Sequence, residues 1–68
     1  MSIKKNIATI IAQRRKELNL EQIDLCEMAE IGSTTLSKLE QGKANITIDS
    51  LEKIIEVLGL EIKLEIKE

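Results

Sequence analysis

"IGSTTLSKLEQGKANIT" runs from Ile31 to Thr47. Leu36 and Leu39 stand at helical spacing, which predicts a short helix starting near Ser33 and stopping at Gly42. Its first turn is odd for a helix that only covers a core. Gly32, Ser33, Thr34 and Thr35 are small and mostly hydroxylated, and Lys38 follows one turn later. Such a turn lets the backbone come close to a polar surface and offers hydroxyls to it. After Gly42, residues 43–46 read as a loop, and Thr47 is a good cap for another helix.

Working outward, Ile7, Ile10, Ile11 and Leu18 recur at three- and four-residue spacings, the stripe of an amphipathic helix over 4–18. Asn19 suits a left-handed stop, and Leu20 anchors the connection. A second helix is expected over 21–29, with Leu25, Cys26, Met28 and Ala29 available for burial. Glu21 and Asp24 fall in its first turn, where the helix dipole favours acids. Ile48, Leu51, Ile54, Ile55 and Leu58 make a fourth helix ending at Gly59.

Two short helices meeting at a tight turn around Ala29–Gly32 form a helix-turn-helix. In that arrangement the second helix enters the major groove with its N-terminal residues near base edges. Ser33, Thr34, Thr35 and Ser37 can donate and accept hydrogen bonds, and a threonine methyl can touch thymine. Lys38 can reach guanine or a phosphate. Leu36 and Leu39 hold the opposite face in the core.

The period changes after Gly59. In "LEIKLEIK", Leu60, Ile62, Leu64 and Ile66 alternate with Glu61, Lys63, Glu65 and Lys67. Period two predicts a half-buried strand over 60–68, and Gly59 with the β-branched isoleucines favours it over a continued helix. The chain contains no second strand pattern to pair with it. Pairing with the same strand of a second copy, antiparallel across a two-fold axis, is the simplest repair.

The 68 residues suit one small domain near the lower limit for folding alone. Apolar residues make up 43%, with no Phe, Trp or Tyr, so the core is a thin one of Ile and Leu. One cysteine and no histidine close the disulfide and ordinary zinc routes to extra stability, which leaves oligomerisation. Cys26 reads as a small apolar group in a reducing compartment. No apolar run approaches membrane-spanning length, and a cytoplasmic protein is expected. Without histidine, a phosphate loop or room for paired carboxylates in a pocket, an enzyme is not expected, and neither is a cofactor or a metal. The net charge of −2 hides a segregation: residues 1–20 carry +4 and residues 21–31 carry −4.

The segment from Arg14 to Leu60 resembles the helix-turn-helix of the phage Cro and repressor (XRE) family. The resemblance rests on Arg15, Leu20, Gln22, Leu25, Ala29, Ile31, Leu36, Ser37, Leu39, Glu40, Gly42, Lys43, Leu51 and Leu58-Gly59. It implies a mainly α, lambda repressor-like domain of four helices over 1–59; the dimerisation strand read from the alternation over 60–68 departs from the family, many of whose members have a fifth helix there. It implies that Gln22 contacts phosphate and braces the recognition helix, and that Arg15 pairs with Glu40 structurally. Gln41 and Lys43 then hold the DNA backbone, since phosphate contacts position and base contacts specify. The chain departs from the family pattern at Glu21, Glu30, Gly32 and Ile46. A strand after "LGL" is similar to HipB-type antitoxins, which repress their own operon and bind a HipA-type kinase. The expectation is a homodimeric repressor of a near-palindromic operator, a HipB-like antitoxin. A stand-alone repressor and an antitoxin acting mainly by protein binding are the alternatives.

Overall fold

The structure, a computed structural model, describes residues 2–67. Met1 and Glu68, the outer limits of the two expected segments, lie outside the described residues. Four helices follow in order: α1 Ile3–Glu17, α2 Gln22–Ala29, α3 Ser33–Glu40 and α4 Ile48–Leu58. Helices α1 and α2 each pack on α3 and α4. The centre of the core is Ile11, Leu25, Leu36, Ile54 and Leu58, all but fully buried. With so few large side chains, each counts for much: truncating one to alanine removes about 2–5 kcal/mol.

All four helices end by the same device. Asn19, Glu30, Gly42 and Gly59 are left-handed, at φ of 58°, 56°, 76° and 69°. The residue after each donates its N–H five residues back: Leu20 to Arg15 at 3.1 Å, Ile31 to Cys26 at 3.0 Å, Lys43 to Lys38 at 3.0 Å, Leu60 to Ile55 at 2.9 Å. These bonds satisfy carbonyls that the helix leaves orphaned. Gly42 has a second reason to lack a side chain, because a Cβ there would stand 3.2 Å from Lys5 Cγ. At the starts, Asp24 accepts from the Glu21 N–H at 2.8 Å, and Thr47 Oγ1 accepts from the Ser50 N–H at 3.1 Å.

Three expectations need correction. The inward stripe of α1 is Ala8, Ile11 and Arg15, with Ile7 half-buried, while Ile10 is 44% exposed and Leu18 is exposed too. Apolar periodicity missed this face because its third member is an arginine whose charge is met inside the fold. Met28 of α2 and Ile48 of α4 are also exposed, since each lies off the face its helix buries. Finally, Leu60 to Lys67 carry no regular secondary structure, so no strand exists among the described residues. A strand needs a ladder partner, and no other extended segment among the described residues pairs with it.

Candidate nucleic-acid interface

Helix α3 is held from behind at three points. Leu36 and Leu39 bury into the core. Glu40, at its last turn, takes a bidentate ion pair from Arg15: Nε to Oε2 at 2.8 Å and Nη2 to Oε1 at 2.9 Å. Both side chains are nearly enclosed, with 10% and 8% of their surfaces exposed. The third nitrogen, Nη1, donates to the Leu20 carbonyl at 2.8 Å, so the guanidinium also ties down the α1–α2 connection. Gln22, the first residue of α2, donates from Nε2 to Glu40 Oε1 at 3.1 Å. One carboxylate thus locks three elements together.

The electrostatics follow. Burial penalises the charged form of Glu40, but hydrogen bonds from Arg15 and Gln22, with the attraction of Arg15 and Lys16, outweigh it and hold the carboxyl below its ordinary value. The hydrogen bond to Glu40 also raises Arg15, against the opposing effect of burial. Glu40 therefore spends its charge inside the molecule. The net charge that α3 shows to solvent is that of Lys38.

The outward face of α3 gathers most of the residues expected there. Ser33, Thr34, Ser37, Lys38 and Gln41, joined by Gln22 from α2, line one shallow open concavity. Gln41 Nε2 donates to Ser37 Oγ at 3.3 Å, which pre-orients both side chains. Thr35 and Lys43 are exposed but do not line this surface. A second open concavity adjoins the α1–α2 connection, lined by Arg15, Lys16, Asn19, Leu20 and Glu21. Short hydroxyls, two carboxamides and one free ammonium on an open face can exchange hydrogen bonds with polar edges and meet anions.

Two supporting contacts were not legible beforehand. Arg14 Nε donates to the Leu58 carbonyl at 2.8 Å, setting a cation at the C-terminal end of α4, where the helix dipole favours it. Lys4 Nζ donates to Asn45 Oδ1 and ties the start of α1 to the loop after α3. Each joins residues more than forty positions apart, and neither has a local sequence signal. Cys26 is buried, and burial, with the nearby charges of Glu40 and Glu27, pushes its thiol up. Among the described residues, no group of three or more His, Cys, Asp or Glu could hold a metal ion, and no helix is long and apolar enough to cross a membrane.

The sequence pattern of a helix-turn-helix family matches residues 11–64. Comparison with curated proteins finds no match.

Proposed function

Since the chain belongs to this helix-turn-helix family, the Cro/repressor or XRE type of DNA-binding regulator, we propose that it is a sequence-specific repressor acting as a homodimer. The observation that carries this is the single face formed by Gln22, Ser33, Thr34, Ser37, Lys38 and Gln41. It lies on a helix that Arg15, Glu40 and Gln22 lock in place. Rigid mounting matters because base readout depends on side chains being held in register with base edges. In this proposal Ser33, Thr34, Thr35, Ser37 and Lys38 meet bases in the major groove. Gln22, Gln41 and Lys43 meet the flanking phosphates. Residues 60–68 make the dimer through Leu60, Ile62, Leu64 and Ile66, and the operator is a near-palindrome.

The narrower proposal of a HipB-like antitoxin with a HipA-type kinase partner rests on analogy alone, in the alternating tail that follows α4. Fluorescence anisotropy on the DNA upstream of the chain's own coding region tests the repressor. Tight binding there and weak binding to a scrambled duplex is the expected result; equal affinity for both refutes it. Co-purification of a kinase encoded beside the chain separates an antitoxin from a stand-alone repressor.

A further inference from the structure

The tail lies along α1. Leu60 and Ile62 line an apolar groove with Ile7 and Ile10 of α1 and Ile55 of α4. Further on, Glu65 and Lys67 line a concavity with Ser2, Ile3 and Asn6. The tail therefore runs back toward the start of α1. It makes little use of its apolar face beyond Ile62: Leu64 is 93% exposed and Ile66 is 94% exposed. Past the Leu60 N–H, no backbone group of residues 61–67 takes part in a backbone–backbone hydrogen bond among the described residues. The segment thus has an unpaired row of donors and acceptors, and a greasy edge continuous with a groove it has begun to fill.

We propose that the occupant of this edge is the tail of a second copy, paired antiparallel with the two-fold axis through Leu64. The inference rests on the homodimer proposed above and adds its register. Charge decides it. An axis through Leu64 sets Glu61 opposite Lys67 of the second copy and Lys63 opposite its Glu65, so every charged side chain of residues 61–67 meets its opposite. On the other face it sets Leu64 against Leu64 and Ile62 against Ile66. An axis through Lys63 or Glu65 places like charges directly opposite, which is destabilising. An axis through Ile62 brings Glu65 against Gly59, the left-handed end of α4, where the ladder cannot continue. An axis through Ile66 sets none of Leu60 to Lys63 against another residue of the 60–68 tail, so Ile62 at the groove stays out of the ladder. An axis between residues puts apolar side chains opposite charged ones. The register through Leu64 also delivers the second copy's Ile66 beside Ile62, at the rim of the groove that leaves Ile10 half-open.

Cysteine cross-linking reads the register directly. Opposed antiparallel residues have Cα atoms about 4.5–5.5 Å apart, within disulfide reach. The native thiol, Cys26, is buried, so the native chain is the blank. With oxidised glutathione, Leu64→Cys should shift from the chain to a covalent dimer on non-reducing gels. Ile62→Cys and Ile66→Cys should each stay uncrosslinked alone and should link when mixed. Leu64 is 93% exposed, so its substitution leaves the core of the single chain intact. Sedimentation of the same three proteins under reducing conditions separates the two layers of the proposal. Sedimentation as monomers overturns the dimer itself. Dimers in which Ile62→Cys or Ile66→Cys self-link, or in which Leu64→Cys does not, overturn the register and leave the dimer standing.

Discussion

Glu40 is the residue on which the helix-turn-helix depends. Its carboxylate is met by two guanidinium nitrogens and one carboxamide, in a site nearly closed to water. Removing one member of a buried ion pair leaves the other uncompensated, at about 3–5 kcal/mol, whereas replacing both by apolar groups of similar volume is often neutral. Glu40→Ala should therefore lower the melting temperature strongly, and Arg15→Met combined with Glu40→Leu should recover much of the loss. A double variant as unstable as the single one would show that the carboxylate serves something besides the pair. Acid should unfold the chain through the same residue. The folded carboxyl sits below the value of about 4.3 that is ordinary for a free glutamate. Its stabilisation is thus fully present above that pH and is lost as pH falls through the folded value. Acid titration followed by circular dichroism should show this limb in the native chain and a flatter one in Glu40→Ala. Glu30 offers the opposite experiment. It is left-handed and exposed, and a non-glycine residue there carries strain of about 1–2 kcal/mol. Part of that is offset because glycine loses more freedom on folding. Glu30→Gly should raise stability by about 0.5–1 kcal/mol in denaturant unfolding.

At the scale of the element, α3 divides cleanly. Leu36 and Leu39 face inward, while Ser33, Thr34, Ser37 and Lys38 share the outer face. Most of this division was readable from leucine spacing and the hydroxylated first turn. Thr35 was not separable from its neighbours by residue type; its place a helical step aside follows only from the geometry of the turn. Replacing Ser33 and Thr34 by alanine should cost about 1–3 kcal/mol on the cognate site and leave non-specific binding nearly unchanged. Anisotropy titrations against cognate and scrambled duplexes would show it. An equal loss on both would mean these side chains meet phosphate and not base edges. Helix α1 was read less well. Its buried face includes Arg15, and a search for apolar periodicity has no means of scoring a charge neutralised by a residue twenty-five positions away.

For the whole molecule, the thin core and the open tail point the same way. The core has no aromatic side chain, and Leu64 and Ile66 lie almost wholly in water. If the tail makes the dimer, deleting residues 60–68, or placing lysine at Ile62 and Leu64, should leave a monomer. Two recognition helices about 34 Å apart would then be lost, and with them the match to half-sites one helical turn apart. Light scattering should report the monomer, and DNA binding should become weak and strongly salt-dependent. A truncated chain that stays dimeric and binds a palindrome tightly would place the interface elsewhere, with α4 the first surface to test.

Most local decisions were in the sequence. Four helices, their stops at Asn19, Gly42 and Gly59, and the cap at Thr47 follow from spacing, small residues and hydroxyls, because those effects act within a turn or two of the chain. The left-handed stop at Glu30 carried no such signal, since a glutamate does not favour that conformation. The change of period after Gly59 was equally plain, yet it stopped short of a structure. Alternation prescribes two faces, but a strand exists only when another backbone segment supplies its hydrogen bonds, and none of the described residues does. What only the tertiary structure decided is how distant groups satisfy one another. Arg14 meets the end of α4, Lys4 meets Asn45, and Arg15 and Gln22 converge on Glu40. Pattern reading could suggest the last of these through a family likeness. The closing of that network against water, which makes the charge tolerable in the core and keeps α3 rigid, is a property of the packed fold.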